Sequence, residues 1–220
     1  MQLQRVGDIQ EYFGEAWTGV KFYFSDSDAP DSASFACRRF CEAVSKSRSR
    51  PVLLRPGDLS CPGANHVFGW DRNLEGVIAA ELAEDRGMEI ESARNLISEV
   101  PVLACRPVAI GLNTADVPDM IVSYCQPRTA MRFVELWQAA FDGRSLVSDL
   151  TSVLSVCGNV CVASYLSAEA ALSFGCDKAR ESGSIGRDRL VMGIPYNLVD
   201  RLTSSDLHLM IRRLPQKDAA

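Results

Sequence analysis

Apolar residues Leu3, Val6, Ile9, Tyr12 and Phe13 recur near helical spacing and predict a helix over residues 3–15. The apolar run VKFYF predicts a strand at 20–24, and the polar stretch SDSDAPDSAS after it is a loop. A helix is expected over 35–44, broken by SKSRSRP, and a short strand over 52–54. The Gly- and Pro-bearing segment PGDLSCPGANHVFGW reads as a loop, followed by a helical pair at about 73–85 and 90–98. Further strands are expected at 102–112, which Pro107 restricts to an edge or a break, and at 120–124. A helix over 129–141 comes next, then a loop or short helix at 143–155. The C-terminal third predicts strands at 161–166, 172–175 and 190–194, helical segments at 198–202 and 206–214, and a frayed tail.

This pattern is an α+β (mixed α/β) arrangement: a mixed sheet with flanking helices. One domain is expected over residues 1–215, with a tail at 216–220. Asp119 leads through an apolar strand and Pro127 into a helix, and Asp188 does the same through Pro195. That similarity allows two related halves, although strand–loop–helix order is common enough to arise by chance.

Composition narrows the function classes. With 47% hydrophobic and 23% charged residues the chain reads as an ordinary globular protein. A net charge of −5 argues against nucleic acid as a general partner. The N-terminal residues lack the basic cluster and apolar run of a signal peptide, and no window approaches a membrane span. A cytoplasmic protein with reduced thiols is therefore expected.

The eight cysteines are where the chemistry lies: Cys37, Cys41, Cys61, Cys105, Cys125, Cys157, Cys161 and Cys176. Cys37 and Cys41 form a C-x3-C pair that would share one face if helical. Cys157 and Cys161 form a second, in which Gly158 would let the backbone pass close to a bulky group. Cys61 lies on a Pro/Gly turn, and Cys176 lies ahead of Lys178 and Arg180, whose charge would favour thiolate. Cys105 and Cys125 sit in apolar runs and read as packed core thiols. His66 reads as a surface-loop residue and His208 as structural, and their scarcity weighs against histidine-rich metal sites. Phosphate-binding loops, dinucleotide fingerprints and a nucleophile elbow are absent.

Several segments in order, FCEAV at 40–44, CPGA with FG at 61–69, VCGN at 156–159, FGCDKAR at 174–180 and MGIPYNLV at 192–199, resemble domain of unknown function family 169. WTGVKF at 17–22 and DMIVSYCQPRTAM at 119–131 fit its strand segments more loosely. Family members look like cytoplasmic proteins frequent in anaerobes and archaea. The resemblance implies four matching cysteines, Cys41, Cys61, Cys157 and Cys176, and carries no activity with it. Cys37 or Cys161 could replace one of the four.

Four dispersed cysteines suit one cubane iron–sulfur (4Fe-4S) cluster, with zinc as the alternative metal. The expected function is a redox, electron-transfer or redox-sensing protein with a redox partner protein. The alternative is a metal-free or zinc-stabilised module binding a small molecule or a protein. A thiol enzyme pairing Cys61 with His66 is a third possibility.

Overall fold

The computed structural model describes residues 10, 13–149, 152–182 and 184–202. The helix predicted over 3–15 falls largely outside these residues, and the helix at 206–214, His208 and the tail at 216–220 fall wholly outside them.

The fold is α+β, built on one seven-stranded mixed sheet of order β2-β3-β1-β4-β7-β6-β5. The strands are β1 Trp17–Tyr23, β2 Val52–Leu54, β3 Ala109–Leu112, β4 Met120–Cys125, β5 Val147–Asp149, β6 Ala171–Ser173 and β7 Leu190–Pro195. All neighbours pair antiparallel except β5 with β6. Because β4 and β7 are central and covered on both faces, they read as unbroken apolar runs rather than alternating ones.

The helices form a layer on each face. Alternation along β4 sends Met120, Val122 and Tyr124 into one core and Ile121 and Cys125 into the other. The first core is covered by α1 Phe40–Lys46, α2 Pro62–Val67, α3 Glu75–Arg86, α4 Ile90–Ser98 and a π-helix Ser155–Val162. The second is covered chiefly by α5 Pro127–Ala140 and α8 Val199–Leu202. Two short helices, α6 Ala163–Ser167 and α7 Asp177–Glu181, follow the π-helix and β6 respectively. Gly193 in β7 is what lets the π-helix lie close on the sheet: a Cβ there would stand 3.0 Å from the Val160 carbonyl oxygen.

The structure corrects several boundaries. The helix expected over 35–44 begins only at Phe40, because Phe35 and Cys37 donate to Leu53 and Asp58 carbonyls and the segment runs extended. Cys37 and Cys41 therefore do not share a helix face. The strand expected over 102–112 shrinks to β3, since the backbone before Pro107 is spent on α2 and on Arg72. The segment expected to be a strand at 161–166 is helical, running from the π-helix into α6. A short, continuously buried apolar run carries no period to tell the two apart, and β-branched content misled. Residues 147–149, expected in a loop or helix, pair with β6 as an edge strand.

The two acid–strand–Pro segments lie side by side as β4 and β7, with Met120 opposite Pro195 and Cys125 opposite Leu190. Their acids differ in role. Asp119 accepts from Lys21 Nζ and the Phe22 N–H, whereas Asp188 is exposed.

Candidate functional site

The four cysteines of the family pattern line one cavity of about 510 Å³. Cys41 is the second residue of α1, and Cys61 precedes α2, whose first residue Pro62 fixes the turn. Cys157 sits in the π-helix, and Cys176 immediately precedes α7. Two ligand candidates thus come from elements before β3 and two from elements after β5. Cys41 and Cys157 are buried, while Cys61 and Cys176 are half-buried.

The π-helix decides where Cys157 points. Leu154 enters it in a left-handed conformation (φ 48°). Asn159 Nδ2 ties back to the Val153 carbonyl at 2.7 Å. The π-helix is rare and occurs mostly as single-turn bulges, which are frequent at functional sites. Gly158 serves its packing, not an approach to the cavity: a Cβ there would meet Val100 Cγ1 at 2.3 Å.

Burial dominates the electrostatics. It pushes the Cys41 thiol up to about 12, with Cys176 and Cys61 adding to the rise and the Ser184 hydroxyl opposing it. Cys157 is pushed well above the ordinary thiol value by burial and then by Cys61, Cys176 and Cys41. Burial also raises Cys176, opposed by backbone hydrogen bonds from Ala179 and Ser155. Without a bound cation these three are neutral thiols at pH 7, and any metal they take must displace protons.

Tyr124, read from sequence only as part of an apolar strand, supports the site from below. Its buried hydroxyl donates to the Cys41 carbonyl at 3.0 Å, and the Arg48 guanidinium stands 5.3 Å from its ring centroid. Burial holds its pKa well above the ordinary tyrosine value. Three exposed acids of α3, Glu81, Glu84 and Asp85, also line the cavity. Asp85 pairs with Lys178 at 2.7 Å and Arg86 with Asp177 at 3.4 Å, which lashes α3 to α7 beside Cys176. The spacing of Ile78, Leu82 and Asp85 along one helix face was the available signal.

Other cysteines lie elsewhere. Cys37 donates to the Arg39 carbonyl at 2.9 Å and does not line the cavity. Cys161 is fully buried with its sulfur 3.3 Å from Met120 Sδ. Cys125 is core, as expected, but Cys105 is exposed rather than packed. The basic residues after Cys176 are already committed: Lys178 to Asp85, and Arg180 to the carbonyls of Phe174, Gly186, Arg187 and Arg189. They do not supply loose positive charge to the sulfurs. His66 is buried on α2 rather than a surface loop, and its charged neighbours are Glu75, Arg72 and Asp71. It does not line the cavity, so among the described residues Cys61 has no histidine base there.

Four cysteines line one cavity, and four thiolates are the number that an iron–sulfur cluster takes. A single zinc ion instead needs its ligands converged on a point, at about 2.3 Å per sulfur. Among the described residues no three His, Cys, Asp or Glu side chains are grouped closely enough to hold a metal ion of either kind. Nor, among them, is any helix long and apolar enough to cross a membrane.

No curated protein and no solved structure matches the chain. A family profile does, that of domain of unknown function family 169, described as "Uncharacterised ArCR", over residues 16–205. That span includes all four cavity cysteines and most of the chain, and the protein belongs to this family.

Proposed function

We propose that this protein binds one cubane iron–sulfur cluster through Cys41, Cys61, Cys157 and Cys176 and serves in electron transfer or redox sensing. The observation that carries the reading is that four cysteines from four separate segments, and no other cysteine, line the same cavity among the described residues. When bound, such a cluster supplies a one-electron couple whose potential depends on burial and on hydrogen bonds to the sulfurs. The chain's own contribution is legible. Burial of Cys41 and Cys157 lowers solvent access, the N–H groups that reach Cys176 disperse sulfur charge, and the α3–α7 ion pairs hold the rim.

The test is anaerobic purification, a visible absorption spectrum, and assay of iron, sulfide and zinc. A broad band near about 400 nm with roughly four irons per chain is expected. Cys41→Ser and Cys176→Ser should abolish it, and Cys105→Ser should leave it intact. Full iron retention in the first two variants refutes the ligand assignment. A colourless protein holding one zinc, or no metal, refutes the cluster. A cavity of this size would then be read as a small-molecule site.

A further inference from the structure

We infer that a second cavity, between β1 and the connection from β3 to β4, binds a small zwitterion of the free amino-acid type. Strands β3 and β4 flank β1 on either side, so residues 113–118, which join them, pass over it. They lie close on the strand. Asn113, at φ 51°, donates its N–H to the Gly19 carbonyl at 2.9 Å and accepts the Gly19 N–H on Oδ1 at 2.8 Å. Its Nδ2 donates to the Ser47 carbonyl at 2.9 Å, which brings the end of α1 alongside. A Cβ on Gly19 would stand 3.2 Å from Pro118 Cβ, and one on Gly111 would stand 2.7 Å from Thr114 Cγ2. Glycine at both positions gives the loop its room. The space enclosed, about 350 Å³, is that of a small-molecule site.

Two opposite charges line this cavity without pairing with each other. Arg48 meets no carboxylate among the described residues, and its guanidinium rests over the Tyr124 ring, 5.3 Å from the centroid, which presets its direction. Asp116 accepts the Tyr23 hydroxyl on Oδ2 and meets no cation among the described residues. Lys21 also lines the cavity, but Asp119 holds its Nζ at 2.8 Å. The lining thus offers one unpaired positive group and one unpaired negative group, and a ligand with one charge of each sign completes both. Its carboxylate goes to Arg48, whose planar fork takes two oxygens at once, and its ammonium goes to Asp116. A phosphate or a dicarboxylate fits less well, because Lys21 is committed and Asp116 would repel the second negative charge. Buried Trp17 and Tyr196 and exposed Val117 supply apolar wall, which suits an apolar side chain.

The standard amino acids, L-leucine first, are the probes, with binding to the full chain measured by titration calorimetry. L-Leucine should bind more tightly than isocaproate, which lacks its ammonium, and isoamylamine, which lacks its carboxylate. Arg48→Met and Asp116→Asn should each weaken L-leucine at least about tenfold. Asp116→Asn should also improve isocaproate, since the repelling charge is gone, which a merely misfolded variant would not do. The asparagine keeps an acceptor for Tyr23, and the methionine keeps a contact for the Tyr124 ring. Arg94→Gln on α4 should change nothing. Full affinity in either cavity variant overturns the site, and so does the failure of every standard amino acid to bind at about 1 mM. Inorganic phosphate or isocaproate binding more tightly than any amino acid overturns the zwitterion in favour of a simple anion. The two cavities share no lining residue, so neither result depends on iron content.

Discussion

Substituting Gly158 by alanine tests whether the π-helix is set by its contact with the segment after α4. The new Cβ would stand 2.3 Å from Val100 Cγ1, with Val67 Cγ2 at 3.4 Å and Leu154 Cβ at 3.5 Å. Carbon atoms pack at about 3.5–4.0 Å, so the overlap exceeds 1 Å. Val100 is buried and β-branched, with little rotameric freedom to retreat. Overpacking of this size costs about 3 kcal/mol, the upper end of the usual range. Alanine recovers about 1 kcal/mol of helix propensity over glycine, leaving a net loss of about 2 kcal/mol. Val100→Ala alone should also cost about 2 kcal/mol, through two lost methyl groups and the space they leave. In the double variant the clashing atom is gone and the new methyl fills part of that space. It should be more stable than either single variant, a strong favourable coupling. Urea unfolding followed by near-ultraviolet circular dichroism measures all four proteins. A Gly158→Ala protein within about 0.5 kcal/mol of the parent, or strictly additive losses, would refute the packing argument.

Arg180→Ala removes bonds to four carbonyls, three of them at 2.8, 3.2 and 2.9 Å. The expected loss is about 2 kcal/mol, discounted for the partial exposure of the group, with faster tryptic cleavage at Arg187; an unchanged melting temperature would contradict it. Metal-free protein should lose stability above pH 9. Burial pushes Cys41 and Cys125 each from 9.0 up to about 12, so the folded state retains protons that the unfolded state releases. Their contribution is complete below pH 9 and falls through the window from 9 to 12, by about 3 kcal/mol for the two together at pH 10. Urea midpoints that are flat or rising from pH 8 to pH 10 would contradict this.

The strands β2, β4 and β7 and the helical pair α3 and α4 were legible because each carries its own signal: a short apolar run between breakers, or apolar residues at helical spacing. The π-helix was not, since SVCGNVCV shows no clear period and its burial along the whole length is imposed by the sheet beneath it. The same holds for Cys105, whose apolar neighbours in sequence do not cover it in space. His66 erred in the other direction, because a loop-like sequence folds there into a buried helical turn.

By itself the amino-acid sequence determined the α+β class, the family pattern and which four cysteines to watch. Those features rest on local periodicity and on residue types at fixed places along the chain. Only the tertiary structure decided that these four share a cavity while Cys37 and Cys161 do not. It also decided that Arg180 and Lys178 are spent on other partners, that acids of α3 form the rim, and that Tyr124 braces Cys41. Cys41 and Cys176 are separated by 134 positions, and local preferences set no distance between segments so far apart. The sheet, by ordering its strands and covering one face with the π-helix, is what sets it.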